Sequence, residues 1–156
     1  MPPAVLPTTQ AAVDAVAAVA ERHGRSVTAS HDIGEDQTSA ALFAAHPAAA
    51  ATGERWPHAD LAAVPHEALL EIGGTPAVAV RFFVHDEAQV TVEGVAFEDV
   101  ARERVPALLD ALWSGLAHVR RRTFPPALTL EVAVPGEPTH RAHVDRLTPW
   151  LAEVTR

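Results

Sequence analysis

The sequence predicts a domain of the α+β class, in which an antiparallel or mixed sheet of about five to six strands forms a single layer packed with helices. Three observations support this class. Strand-like segments follow one another through short turns, helical segments lie at the N- and C-terminal ends, and strictly alternating strand–helix–strand units are absent. The chain of 156 residues, with 48% hydrophobic side chains, is long enough to bury a core. We therefore expect residues 1–156 to form a single globular domain.

The N-terminal segment predicts a helix that begins at a threonine cap, Thr8 or Thr9, and ends at Gly24. Its apolar stripe consists of Val13, Val16, Ala17 and Ala20. The next segment, SVTASHD, alternates between two faces and predicts a strand.

The middle of the chain is less regular. Residues 38–46 fit either the return strand of a hairpin, which the polar turn at Gly34 favours, or a short helix stopped by Pro47. Residues 47–64 have no clean hydrophobic period, which predicts an irregular excursion. The segment PHEALLEIGG predicts a short helix with Pro65 in its first turn and Gly73 as its stop.

Residues 75–97 predict a hairpin. Two apolar sets define its inner face: Val78, Val80, Phe82 and Val84 in the first strand, and Val90, Val92 and Ala96 in the second. A three-residue loop at 86–88 brings Val84 opposite Val90. The same register sets Arg81 opposite Glu93, an opposite-charge pair worth about 0.2–1 kcal/mol.

The C-terminal half predicts a helix, two strands and a last helix. FEDVARERVPALLDALWSG is amphipathic, with Asp99 as its cap. Gly115 leaves two alternatives: the helix ends there and LAHVRRR forms a strand, or the helix continues and carries residues 120–122 at its C-terminal end. ALTLEVAV and THRAHV predict strands, and Thr148 caps a helix that begins at Pro149.

The order of these elements is similar to that of the secretion-chaperone-like α+β fold and, over part of the chain, to a ferredoxin-like split βαβ arrangement. Neither similarity extends to residue motifs, and no family is assigned.

Composition and charge argue against several classes of function. The chain has no cysteine, which excludes disulfides, thiol nucleophiles and Cys-ligated metals. A net charge of −8 with one dense basic run, 120–122, argues against nucleic-acid binding. No stretch approaches the roughly 20 apolar residues that span a bilayer, and MPPAVLPTTQ lacks signal-peptide character. We expect a cytoplasmic location and no membrane partner. The 32 alanines and the absence of lysine indicate a GC-rich genome, such as an actinobacterial one.

Catalytic signatures are absent. The chain contains no phosphate-binding loop, no dinucleotide fingerprint, and neither HExxH nor GxSxG, so no cofactor is expected. The tripeptide SHD holds triad residue types, but adjacent strand residues point to opposite faces and cannot form a relay. His31 shares a face with Val27 and Ala29 and is the acid–base candidate if the protein is an enzyme; a hydrogen-bonded histidine at a strand end is the alternative. The neighbouring carboxylates are explained by a solvated turn.

The weak metal candidates lie in HRAHVD. His143 and Asp145 share a face on a strand, whereas His140 and His143 do so on a helix. Either pair falls short of the three or more protein ligands that a metal ion normally needs, so no metal is expected. The alternative is a polar segment before the terminal helix.

The outer face of the predicted hairpin is the candidate binding surface. It holds Arg81, Phe83 and His85, which face Thr91 and Glu93, and an outward aromatic beside an arginine is typical of an interface anchor. A covering helix is the alternative. Trp56, in the irregular excursion, is a further candidate for lining a pocket or an interface.

Two functions follow from these observations. The sequence favours a non-catalytic binding or accessory protein, chaperone-like or immunity-like, that binds a protein partner or forms a homodimer. The alternative is a small enzyme or small-ligand-binding protein with a pocket near His31 and Trp56.

Overall fold

The computed structural model describes residue 6 and residues 8–29, 68–83 and 86–156. Within them the chain forms three α-helices, a 3₁₀ turn and eight strands in two antiparallel sheets. The helices are α1 (Thr9–Arg22), α2 (Val105–Trp113) and α3 (Pro149–Glu153). The strands are β1 (Val27–Ala29), β2 (Ala68–Ile72), β3 (Val78–Phe82), β4 (Glu87–Val92), β5 (Val95–Ala101), β6 (Ala117–Thr123), β7 (Pro126–Val132) and β8 (His140–His143). The α+β class and both terminal helices are confirmed, while the strands divide between two sheets instead of forming one layer.

The first sheet is a meander in which β1 to β5 pair in chain order. Alternate residues of its strands are buried, as expected for a sheet with one covered face. α1 packs against α2 and contacts β2. The core is one contiguous cluster, whose largest fully buried side chains include Phe82, Leu70, Leu108, Leu109, Leu130 and Leu151. Each such side chain contributes about 1.5–3 kcal/mol through the removal of its apolar surface from water.

The hairpin of β3 and β4 has a different register from the predicted one. Val80 lies opposite Val90 and Arg81 lies opposite Gln89, so the predicted pairing of Arg81 with Glu93 is wrong. The apolar faces still coincide, because the two registers differ by an even number of residues and side chains alternate with a period of two. The prediction extended β3 to Val84, whereas β3 ends at Phe82.

A missed turn at Glu93–Gly94 accounts for the difference. Both residues have positive φ, 51° and 84°, as in a two-residue type I′ turn, and Val92 pairs with Val95 across it. Oε1 of Glu93 accepts a hydrogen bond from the Ala77 N–H at 2.8 Å. The residues expected to continue β4 therefore begin β5.

Two helix predictions are corrected. Ala68–Ile72, expected to be helical, forms β2, because its alternating apolar residues find hydrogen-bonding partners in β1 and β3. Asp99, expected to cap a helix, lies within β5 with a φ of 54°. α2 begins later, after the 3₁₀ turn Arg102–Arg104, with Pro106 in its first turn.

The second sheet settles the alternatives at Gly115. α2 ends at Trp113, Gly115 has a φ of 81°, and the segment LAHVRRR falls within strand β6 and the residue before it. β7 lies between β6 and β8. The hydroxyl of Thr148 caps α3 by accepting a hydrogen bond from the Leu151 N–H at 3.3 Å, as predicted.

Two predictions fall on residues that the structure does not describe: the excursion at 47–64 and the strand or helix at 38–46. None of the described helices has the length and apolar character needed to cross a membrane.

Candidate binding surface on the second sheet

The structure describes three of the binding residues predicted from the sequence, and it does not pair Arg81 with Glu93. Arg81 is on the outer face of the first sheet beside Gln89. Phe83 follows β3, where its carbonyl oxygen accepts a hydrogen bond from Nη2 of Arg102 at 3.0 Å. Glu93 is held in the β4–β5 turn. Three further candidates lie outside the described residues, and their roles stay predictions: His31, Trp56 and His85.

The metal candidates divide between the two faces of β8. Nε2 of His143 lies 3.2 Å from Oδ1 of Asp145, whereas His140 faces the other way, with its Nε2 3.8 Å from Oε2 of Glu137. Burial lowers the pKa of His140, and the charge of Glu137 partly offsets this effect. Within the described residues, no group of three or more His, Cys, Asp or Glu side chains is arranged to hold a metal ion.

The outer face of the second sheet carries the most concentrated positive charge of the described residues. We call it the arginine face, and it consists of His118, Arg120 and Arg122 on β6, Thr129 and Glu131 on β7, and Arg141 and His143 on β8. These residues share a face because strand neighbours two apart point the same way and paired residues lie side by side. The opposite face is buried, as at Val119 and Leu130.

Glu131 occupies the centre of the arginine face. Its carboxylate lies 3.1 Å from Nε of Arg141, 3.3 Å from Nε2 of His118 and 4.0 Å from Nη1 of Arg120. The Glu131 side chain is only 11% exposed, whereas Arg120 and Arg141 are 70% and 63% exposed. One covered carboxylate therefore lies within ion-pairing distance of two arginines and close to one histidine, and the two guanidinium groups remain open to solvent.

An exposed aromatic side chain lies at one end of this face. Phe124, in the β6–β7 turn, is 86% exposed. Nε of Arg122 donates a hydrogen bond to the Phe124 carbonyl oxygen at 3.1 Å, which ties the turn to the strand. An exposed phenyl ring beside guanidinium groups supplies an apolar anchor and charge together, as interface hot spots commonly do.

The edge of β6 offers a structural alternative. Val119 bonds to the chain after α3, donating to Val154 O at 2.9 Å and accepting from the Arg156 N–H at 3.0 Å. Because hydrogen-bonding directions alternate along a strand, the backbone groups of Arg121 and Thr123 face the same edge. Charged side chains on an edge strand discourage aggregation, so the alternative to ligand binding is that the arginines protect this edge. Only the ligand-binding role predicts that the arginine face binds an acidic peptide.

The sequence marks residues 120–122 as a dense basic run, at the end of a helix or within a strand, but it does not indicate the neighbours that complete the face: His118, Glu131 and Arg141. The available signal was strand alternation: once Gly115 ends the helix, residues 118, 120 and 122 must share a side. The pairing with β7 and β8 is a long-range feature that no local pattern specifies.

No protein-family model, curated protein or solved structure matches the chain. The fold and the site together define an α+β protein with a basic sheet face and an exposed aromatic turn.

Proposed function

We propose that this protein is a non-catalytic, cytoplasmic binding module that recognises an acidic segment of a partner protein on its arginine face. Charge segregation carries the proposal. Residues 117–156 hold six of the twelve arginines, three of which lie on the arginine face, and only four of the twenty acidic side chains, in a chain of net charge −8. A binding role also suits the chemistry of the face, because its buried carboxylate is already paired with two arginines and lies next to His118.

A protein segment fits this surface better than a nucleic acid. A duplex extends over many phosphates, and the acidic remainder of the chain would repel those beyond the arginine face. A short acidic peptide covers only the face, and charges farther away than a Debye length of about 8–10 Å are largely screened from it.

A second copy of the chain is a poor occupant of this face. A two-fold contact would set arginine against arginine, since the same patch meets itself in such an interface. A contact with the acidic remainder of another copy would be head-to-tail, and such contacts build rings or filaments instead of a two-fold dimer. The predicted homodimer would therefore use a different surface, and native mass spectrometry measures whether it forms.

Fluorescence anisotropy with a labelled peptide of alternating glutamate and leucine tests the proposal. We expect binding that weakens as salt rises, and no binding of the matched lysine–leucine peptide. The double variant Arg120→Gln/Arg122→Gln removes two exposed charges worth about 0.2–1 kcal/mol each, so the dissociation constant should rise about 2- to 30-fold.

Arg121→Gln is the matched control. Arg121 belongs to the same basic run and is exposed, but it lies on the other side of β6. We expect the affinity of this variant to stay within about two-fold of the unmodified protein. Equal losses in Arg121→Gln and in the double variant would show that net charge alone, and not the arginine face, drives binding. Binding of a DNA duplex in preference to the acidic peptide would also contradict the proposal.

A further inference from the structure

A cavity of about 330 Å³ lies on another part of the molecule, where the end of α1, the β2–β3 turn, the end of α2, the start of β6 and α3 meet. Small-molecule pockets typically measure roughly 300–1,000 Å³, so this cavity suits a ligand of one or two rings. Much of its wall is apolar, including two indole rings, and its charged side chains are Arg25, Glu153 and Arg156.

Arg25 is a half-buried cation in this wall, and three backbone carbonyl groups position it. Its Nη2 donates to the Thr75 carbonyl oxygen at 2.7 Å, and its Nη1 to those of Pro76 and Gly73 at 3.3 and 3.4 Å. Carbonyl oxygens carry no net charge, and within the described residues Arg25 forms no ion pair. Burial lowers the pKa of Arg25.

The surroundings hold the Arg25 guanidinium in one place. Its central carbon lies 5.1 Å from the ring centroid of Trp113, within the range of a cation–π contact. Gly74, with a φ of 103°, permits this position, because a Cβ there would lie 2.6 Å from Nη1 of Arg25. Among the described residues, Nε of Arg25 has no hydrogen-bond partner, so the group keeps a donor for a ligand.

The balance of charge and ring surface defines the ligand. The charged side chains that line the cavity are two guanidinium groups and one carboxylate. A carboxylate on a ligand can pair with the guanidinium group of Arg25 and accept the hydrogen bond that its Nε–H offers. Trp113 and Trp150 supply flat apolar surface for a planar group.

We propose that this cavity binds a small aromatic carboxylate, with the carboxylate paired to Arg25 and the ring against Trp113 and Trp150. The site shares no residue with the arginine face, so each proposal stands or falls alone.

The test uses indole-3-acetate, followed through the tryptophan indole signals in ¹H–¹⁵N spectra of the full chain. The chain has three tryptophans, and the variants Trp113→Phe and Trp150→Phe assign their signals. We expect the Trp113 and Trp150 signals to shift with a dissociation constant in the millimolar range or tighter. Tryptamine, which carries a cation on the same ring, should shift neither. Absence of shifts with indole-3-acetate, or equal shifts with tryptamine, would overturn the proposal, and this comparison needs no variant of Arg25.

Two further comparisons sharpen the assignment. Arg25→Gln should weaken indole-3-acetate binding about ten-fold or more, while Arg146→Gln, at an exposed position outside the cavity wall, should leave it unchanged. Unchanged affinity in a folded Arg25→Gln variant would refute the role of this residue. If that variant unfolds, the comparison of indole-3-acetate with tryptamine on the unmodified protein decides. Tighter binding of phenyl phosphate than of benzoate would refute the preference for a carboxylate.

Discussion

Replacing Glu131 with glutamine should move stability and binding in opposite directions. The substitution keeps the shape of the side chain and removes the negative charge that Arg141, His118 and Arg120 share. An ion pair with an exposed partner contributes about 0–1 kcal/mol, and the Glu131 carboxylate lies within ion-pairing distance of two such arginines. Because Glu131 is buried while both arginines are largely exposed, we expect the free energy of unfolding to fall by about 1–2 kcal/mol.

The same substitution should strengthen binding of the acidic peptide. The arginine face gains one unit of positive charge, and an exposed charge pair is worth about 0.2–1 kcal/mol, which corresponds to a dissociation constant about 1.5- to 5-fold lower. Urea unfolding measures the first effect and fluorescence anisotropy measures the second. In a thermal scan the loss of stability corresponds to about 2–8 °C in Tm for a chain of this size.

Glu71→Gln provides the control, since it changes the net charge by the same amount on an exposed residue of β2, in the other sheet. We expect little change in peptide affinity from this variant. Weaker peptide binding by Glu131→Gln, or equally stronger binding by both variants, would contradict a role of the Glu131 charge in peptide affinity.

Further variants test the core, the cavity wall and the response to pH. Leu130→Ala should cost about 2–5 kcal/mol in urea unfolding, whereas Leu147→Ala, at an exposed position, should stay within about 0.5 kcal/mol. Gly74→Ala should cost about 1–3 kcal/mol, because alanine is strained at a φ of 103°, and it should also weaken indole-3-acetate binding. Burial lowers the pKa of His140, so this side chain binds a proton more readily in the unfolded chain than in the folded one. The free energy of unfolding should therefore fall as the pH drops below about 6.5. This decrease should be smaller in the variant His140→Gln, as measured by urea unfolding at several pH values.

Local sequence patterns were sufficient for most of the elements and insufficient for their pairing. Threonine caps at Thr8 and Thr148, both followed by apolar helical residues, are local signals, and both helices begin where predicted. The predicted register of β3 and β4 is wrong because Glu93 and Gly94 form a turn. The residues around this turn alternate between apolar and polar, so the sequence alone predicts one continuous strand. The apolar pattern of β2 fits a short helix as well as a strand, and only its pairing with β1 and β3 distinguishes the two.

The candidate sites were harder to anticipate than the fold. The arginine face brings His118, Glu131 and Arg141 together from three strands. It therefore depends on the pairing of β7 with β6 and β8, which no local sequence pattern predicts. The cavity joins Arg25 to Trp113, residues that lie far apart in the chain and belong to no motif. Sequence patterns report which face a side chain occupies; they do not report which distant side chain it meets.

The segment after β8 completes two parts of the molecule. Leu151 is fully buried in the core, residues 154–156 pair beside β6, and Trp150, Glu153, Val154 and Arg156 form one side of the cavity. On the ribosome, the cavity therefore cannot assemble until residue 156 has emerged, although both sheets can begin to form earlier. A carboxylate that binds there would stabilise only chains whose synthesis has passed this point, and would distinguish them from truncated products.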